Sequence, residues 1–236
     1  MITMLGIARW RSALVCGVLA LAAAAAGAQS RNLAPGFTAL PKDAKVVVAP
    51  LDVELYSISA GGVREPRADW TSAAATHMKA ALADKARALG LGSQDIDDTL
   101  ADDHAELLHL HAAVANAIAT HHFLGVKLPT KEDRLDWSFG DVMRPLKEKT
   151  GARYGLFTWV RDSYASAERV AMMVGMALLG IGVAGGTQVG YASLVDLETG
   201  QVVWFNLLLR GSGDLREGAK AAESVNALLA GFPAAK

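Results

Sequence analysis

The segment GYASLVDLETGQVVWFNLLL, residues 190–209, carries the clearest structural signal in the chain. Two apolar runs, 190–197 and 201–209, flank the polar tripeptide Glu198-Thr199-Gly200. Apolar runs joined by so short a loop predict a β-hairpin, with glycine in the left-handed position of a three-residue loop. The hairpin residues with a predicted structural role are Asp196, Gly200 and Trp204.

Two further strands are predicted upstream of the hairpin. Tyr154–Tyr164 is rich in aromatic and β-branched side chains, which favour extended structure. The run Val46-Val47-Val48 is uninterrupted and β-branched, as is typical of a strand buried on both faces. Pro50 has no backbone N–H to donate, so regular pairing is expected to end or bend there.

Helical patterns alternate with these strands. The first predicted helix begins at Asp69, as its N-cap, and ends at Leu89, because Gly90 is a C-terminal stop. A second helix is predicted over residues 100–122, and the residues on its apolar side are Leu107, Leu110, Val114, Ala117 and Ile118.

Two shorter helices complete the predicted order. One covers residues 141–149, and the other follows the hairpin, where Asp214 and Glu217 form a capping-box pattern. Since helices and strands interleave, the predicted class is α/β, with α+β as the alternative. The expected architecture is a layered mixed sheet of about four or more strands with helices packed on it, ending in the hairpin and a helix.

The first 28 residues have the features of a secretory signal peptide. Arg9 and Arg11 precede an apolar run over 13–26, which ends in the cleavage signal Ala26-Gly27-Ala28. Cys16, the only cysteine, precedes most of this run, so it is not placed as a lipid-anchor cysteine. The predicted organisation is a signal peptide (1–28), an N-terminal arm (29–43) and a single α/β domain (44–236). The predicted location is the periplasm or the periplasmic face of the outer membrane.

Charge and metal-ligand patterns exclude several classes of partner. The chain has 23 basic and 24 acidic residues and no long basic run, so no nucleic-acid partner is predicted. Its histidines lack the i, i+4 spacing of helical zinc ligands and are interpreted as solvated or helix-terminal side chains. The aspartates over 95–103 lack the order of a calcium loop and are expected to favour a helix N-terminus. No metal site is predicted.

Cofactor and nucleophile motifs also give no site. Gly180–Gly185 matches G-x-G-x-x-G, but a hairpin follows it instead of the helix that a dinucleotide site needs. A G-x-S-x-G nucleophile motif is absent, and the one cysteine lies within the signal peptide. No catalytic residue and no cofactor are therefore predicted.

The most unusual feature is an apolar, glycine-rich segment over 170–186, within a stretch from Val170 to Val195 that carries no charge. The favoured interpretation is a buried helix followed by a glycine-rich loop, since glycines weaken a free-standing helix. Insertion into a membrane and a self-association surface are the alternatives. The candidate interaction or membrane residues are Met172, Met173, Gly175, Leu178, Leu179, Gly180, Ile181, Gly182 and Val183.

Three motifs, in this order, give the chain a family resemblance. They are Val46-Val-Val-Ala-Pro50, Lys149-Thr-Gly-Ala-Arg-Tyr-Gly-Leu-Phe157 and Leu194-Val-Asp-Leu-Glu-Thr-Gly-Gln-Val-Val-Trp204. The chain resembles the periplasmic α/β domains of the curli-secretion lipoprotein family, the TolB amino-terminal domain and related envelope lipoproteins. The resemblance implies a sheet layered with helices, a place in the cell envelope and a role in assembly or secretion. It implies no catalytic residues.

Two functional hypotheses follow. The first is a non-enzymatic, exported envelope protein that acts through self-association or through a protein partner, with membrane contact as an option. The second is a periplasmic small-ligand-binding protein or hydrolase. A deep pocket with converging polar side chains would favour the second, and an exposed apolar face over 170–186 would favour the first.

Overall fold

The computed structural model describes residues 31–96, 100, 102 and 104–235. The predicted signal peptide and its Cys16 lie outside the described residues, and so do Asp97, Asp98 and Asp103 of the aspartate group. The described residues form a mixed sheet with helices packed on it, which confirms the predicted α/β class.

Seven strands are described, and they form one mixed sheet. In chain order they are β1 (Lys45–Val48), β2 (Asp52–Ile58), β3 (Arg64–Pro66), β4 (Gly92–Asp95), β5 (Tyr154–Ala165), β6 (Gln188–Asp196) and β7 (Val202–Arg210). The predicted strand beginning at Tyr154 is confirmed, and so is the interruption at Pro50. The sequence pattern missed β3 and β4 because neither contains an apolar or β-branched run.

Five α-helices are described. They are α1 (Ala68–Ala88), α2 (Ala105–Ile118), α3 (Arg144–Thr150), α4 (Ala167–Leu178) and α5 (Gly218–Leu228). A single π-helical turn, Ala119–Phe123, continues α2, and 3-10 turns cover Pro129–Lys131 and Gly140–Met143. Pro145 is tolerated in α3 because it lies in the first turn, where a backbone N–H has no helical acceptor.

Strand β5 is the centre of the sheet, with partners along both edges. β6 pairs with it in antiparallel fashion from Tyr154 to Asp162. β1 and β2 both pair with it in parallel along the opposite edge, one after the other, separated at Pro50. β4 and β3 extend the sheet beyond β1 and β2, and β7 extends it beyond β6.

Helices cover both faces of the sheet, and each face has its own apolar core. Leu156, Leu194 and Trp204 belong to the core under α1 and α5. Phe157 and Phe205 belong to the core under α2 and α3. Neighbours along one strand enter different cores because successive side chains point to opposite faces.

Two predicted helix caps are wrong. The N-cap of α1 is Arg67, which makes no capping bond, while Asp69 lies in the first turn and forms an ion pair with Arg67. The predicted capping box before α5 does not form either. Asp214 Oδ1 accepts from the backbone N–H of Arg216 at 3.0 Å, and Glu217 occupies the N-cap without a side-chain bond.

The second predicted helix forms as α2 and the π-helical turn that continues it, and its predicted apolar face is correct only in part. Leu110, predicted on the apolar face, is 42% exposed. Leu107 and Ile118 are buried as predicted, and the other buried residues of α2 are His111 and Ala115. Apolar residues lie on several sides of this helix, so periodicity alone did not define the buried face.

The hairpin forms as predicted, with a longer connection than the three residues expected. β6 ends at Asp196 and β7 begins at Val202. The backbone carbonyl of Asp196 accepts from the N–H of Gly200 at 2.8 Å, and the side-chain Oδ1 of Asp196 accepts from the N–H of Glu198 at 2.9 Å. Gly200 has the positive φ expected of it, +69°, and a Cβ there would lie 2.1 Å from the Gly140 carbonyl oxygen.

We expect Gly200→Ala to destabilise the protein far more than Gly90→Ala. Both glycines have a positive φ, +69° and +67°, but a Cβ at Gly90 meets nothing within 4 Å. Gly90→Ala should therefore cost about 1 kcal/mol in free energy of unfolding, the penalty of the left-handed conformation. Gly200→Ala should cost at least about 2 kcal/mol more, because backbone atoms must move. Urea unfolding checks this, and equal losses would contradict the turn geometry.

Candidate functional site

Residues 166–187 leave the sheet between β5 and β6, and we call this segment the projection. It consists of α4 followed by an irregular stretch over 179–187. Ser166 is the N-cap of α4, and its Oγ accepts from the N–H of Arg169 at 3.2 Å. The N–H of Ser166 donates to the Ile58 carbonyl of β2 at 2.9 Å. The first residue of the projection is thus tied to the sheet.

The two ends of the projection meet where β5 and β6 separate. Ser163 donates to the Thr187 carbonyl through its N–H at 3.2 Å and through its hydroxyl at 3.1 Å. The N–H of Thr187 donates back to Ser163 Oγ at 3.0 Å. A Cβ at Gly186 would lie 1.9 Å from the Ser163 carbonyl oxygen, so this close approach requires glycine.

Two side chains of α4 hold the irregular stretch against the helix. Arg169 donates from Nη2 to the Ala184 carbonyl at 2.9 Å and from Nη1 to the Ser59 carbonyl at 3.3 Å. Met173 packs on Gly185, where a Cβ would lie 3.2 Å from the Met173 methyl carbon. Helix and loop therefore form one folded unit, fixed to the sheet at its base.

The apolar side chains of the projection are largely exposed. Val174 is 60% exposed, Leu178 is 85% exposed and Leu179 is 74% exposed. No residue of α4 is buried. The interpretation of this segment as a buried core helix is therefore wrong, because α4 contributes no side chain to either apolar core.

The nine candidate residues divide into an outer and an inner set. A Cβ at Gly175, Gly180 or Gly182 would meet nothing within 4 Å, so these positions face open space. The outer set also contains Leu178, Leu179 and Ile181. The half-buried inner set is Met172, Met173 and Val183.

A buried polar cluster lies beneath the projection. Asp162, 2% exposed, accepts from Gln188 Nε2 at 2.7 Å, from the N–H of Ser163 at 2.8 Å and from the Tyr164 hydroxyl. Burial raises the pKa of the Asp162 carboxyl, and these hydrogen bonds oppose the rise. Burial and the bond to Asp162 raise the pKa of the Tyr164 phenol. Tyr164 Oη in turn accepts from the N–H of Leu215 at 2.8 Å.

A second buried polar pair lies on the other face of the sheet. His111 Nε2 lies 2.6 Å from Ser193 Oγ, and the imidazole stacks on Phe157 with 4.1 Å between ring centroids. Burial lowers the pKa of His111 to about 3. Ser193 is fully buried, and no described carboxylate bonds to the other ring nitrogen. The pair therefore lacks the exposed nucleophile and the oriented base of a hydrolase.

Neither a metal-ligand cluster nor a membrane-spanning helix occurs among the described residues. Within 31–96, 100, 102 and 104–235, no group of three or more His, Cys, Asp or Glu side chains is placed to hold a metal ion. No helix in the described part of the chain combines the length and apolar character that crossing a bilayer requires.

The residues that anchor the projection were missed at the sequence level. Ser166 carried one usable signal, because serine directly before a helical run is a preferred N-cap. Arg169 and Asp162 carried none, since their partners lie on distant parts of the chain, such as Ser59 and Gln188.

The chain is thus an α/β protein with a seven-stranded mixed sheet and an exposed apolar projection. Its sequence matches no family model and no curated protein. It is similar in structure to the PelC dodecamer from Paraburkholderia phytofirmans, with 17% identity, a TM-score of 0.41 and coverage of 84% of this chain and 93% of that chain. It is also similar to lipoprotein GNA1162 from Neisseria meningitidis (14% identity, TM-score 0.31, 70% and 81% coverage). A third similar structure is the LpoB C-terminal domain from Salmonella enterica (15% identity, TM-score 0.28, 75% and 87% coverage). At these identities and TM-scores, neither function nor oligomeric state follows.

We expect the stability of the protein to fall in mild acid because of His111. Its pKa is about 3 in the folded state against 6.5 when unperturbed, so protonation favours the unfolded chain. The contribution is present above pH 6.5 and is lost as the pH falls toward 3. Between about pH 7 and about pH 5 the loss should be about 2 kcal/mol in free energy of unfolding.

The double variant His111→Phe/Ser193→Ala tests this expectation by urea unfolding at both pH values. Phenylalanine keeps the stacking on Phe157, and removing the Ser193 hydroxyl as well avoids leaving that hydroxyl buried without its His111 partner. The variant should lose about 2 kcal/mol less than the wild type on acidification. An equal loss in both proteins would show that His111 does not titrate on unfolding.

Proposed function

We propose that this is an exported, non-enzymatic envelope protein that acts by association, and that copies of the chain associate through the projection. The observation that carries the proposal is the exposure of Val174, Leu178 and Leu179 on a segment that is folded and anchored at its base. The signal-peptide pattern over 1–28 supports export.

Leaving these side chains in water has an energetic cost that association would remove. Full burial of one leucine or valine side chain contributes about 1.5–3 kcal/mol. The exposed side chains of the projection are contiguous along one helix and the turn that follows it, whereas single scattered apolar residues are common on any protein surface. A contiguous apolar patch on a folded element is typical of an interface.

The surface pattern of α4 fits a second copy of itself. Val170, Val174 and Leu178 recur every four residues and form an exposed ridge. A parallel row of small, exposed residues lies beside this ridge: Ala167, Ala171 and Gly175. Because a ridge of one helix packs into a groove of another, the same helix offers both halves of a self-complementary contact.

The charge distribution of the projection favours contact between two copies of it. Glu168 and Arg169 are the only charged residues of the projection, and both lie in the first turn of α4. From Val170 to the end of the projection, no charge would repel a second copy or require desolvation. The apolar tip can therefore enter a dry interface without burying an ion.

A lipid surface is the alternative partner for the exposed apolar side of α4. As a helix of 12 residues, α4 is about 18 Å long, little more than half of the roughly 30 Å hydrocarbon core. An in-plane membrane helix also usually carries basic residues on its polar side. The half-buried residues of α4 instead include the uncharged Met172, Met173 and Met176.

The test is the molar mass of the chain from residue 29, measured by light scattering over a range of concentrations without detergent. The wild type should be a discrete oligomer. Leu178→Glu should weaken association at least about tenfold, because a carboxylate would be buried without a partner. Leu124→Glu is the matched control, since Leu124 is also exposed, at 58%, but lies outside the projection.

Three results would contradict the proposal. A wild type that is monomeric at all concentrations excludes self-association. A monomer that sediments with anionic phospholipid vesicles, and loses this property in Leu178→Glu, assigns the projection to a lipid surface instead. An oligomer that Leu178→Glu leaves intact places the interface elsewhere on the protein.

A further inference from the structure

A pocket of about 320 Å³ lies far from the projection, between α1 and the strands β1 and β4. Its floor consists of buried core side chains: Val46, Leu82, Leu156 and Leu229. Its wall continues along Ala86, Leu89 and Leu91, and the chain turn Ala49-Pro50-Leu51 closes one side. The volume falls within the range of small-molecule sites.

Among the described residues that line this pocket, the two charged side chains are Lys79 of α1 and Asp95 of β4. Lys79 Nζ lies 3.6 Å from Asp95 Oδ2, and both side chains are mostly exposed. At this separation the two groups attract each other, but the contact is longer than a good N–H···O hydrogen bond. A hydroxyl placed between them can accept from the ammonium and donate to the carboxylate.

The opposite charges of Lys79 and Asp95 balance each other at the mouth of the pocket. A carboxylate headgroup would have to compete with Asp95 for Lys79, and an ammonium headgroup would have to compete with Lys79 for Asp95. An uncharged group that both donates and accepts disturbs neither partner. A water molecule, which has one non-hydrogen atom, occupies about 30 Å³ in the liquid. By this measure the pocket holds a ligand with on the order of ten non-hydrogen atoms.

We propose that this pocket binds an uncharged, single-chain aliphatic alcohol or a molecule with that chemistry. The alkyl chain lies along Leu82, Leu156 and Leu229, and the hydroxyl lies between Lys79 and Asp95. Alcohol binding in this pocket is independent of association through the projection, because no residue that lines the pocket belongs to 166–187.

The test is calorimetric titration of the purified protein with straight-chain alcohols of increasing length, from hexanol to dodecanol. Affinity should rise about fourfold with each added CH₂ group and stop rising once the pocket is full. Decanol should bind more tightly than decanoate or decylamine. Asp95→Asn should reverse the order of decanol and decanoate, because Lys79 then has no competing carboxylate.

Ala83→Trp and Ala80→Trp provide matched variants on the same helix. Both alanines are exposed, but only Ala83 lines the pocket, so an indole there should fill the mouth and reduce decanol affinity at least tenfold. Ala80→Trp should leave the affinity unchanged. The proposal is overturned if no alcohol binds, if Ala83→Trp binds decanol as well as Ala80→Trp does, or if decanoate binds the wild type more tightly than decanol.

Discussion

Backbone pairing along both edges of β5 is the constraint on which the rest of the structure depends. β6 pairs with one edge only as far as Asp162, whereas β2 follows the other edge to Ala165. The last residues of β5 therefore extend past the antiparallel partner. The chain leaves the sheet there and returns at Gln188, so the projection begins where β5 has a partner on one side only.

Buried polar groups at the end of β5 hold the base of the projection in place, while the rest of the projection stays exposed. Ser163 and Thr187 exchange hydrogen bonds across the gap, and Asp162 lies below them with Gln188 and Tyr164 as donors. Hydrogen bonds to a buried carboxylate are strong, and an unsatisfied one would be costly, so the geometry at the base is closely defined. The base of the projection is held by hydrogen bonds and its apolar tip is exposed. The projection is therefore a folded element with an exposed apolar surface, and not a frayed loop.

The sequence predicted those elements whose signal is local. The aromatic and β-branched run from Tyr154, the break at Pro50 and the left-handed Gly200 all depend on residues close together in the chain. β4 was missed because Gly92–Asp95 has no apolar run and pairs with the distant β1. The buried face of α2 was predicted only in part because His111 is buried against Phe157 and Ser193. The apolar character of 170–186 was evident, but its exposure depends on where β5 ends relative to β6, which no local pattern encodes.

The central claim, that the tip of the projection is covered by a second copy, is tested most directly with a spin label at residue 178. The chain from residue 29 contains no cysteine, so Leu178→Cys gives a single labelling site on a side chain that is 85% exposed. Dipolar coupling between nitroxides is then measured without detergent. We expect an immobilised label and a narrow distribution of short distances between copies. A mobile label with no coupling at concentrations where the protein is fully assembled would contradict the claim.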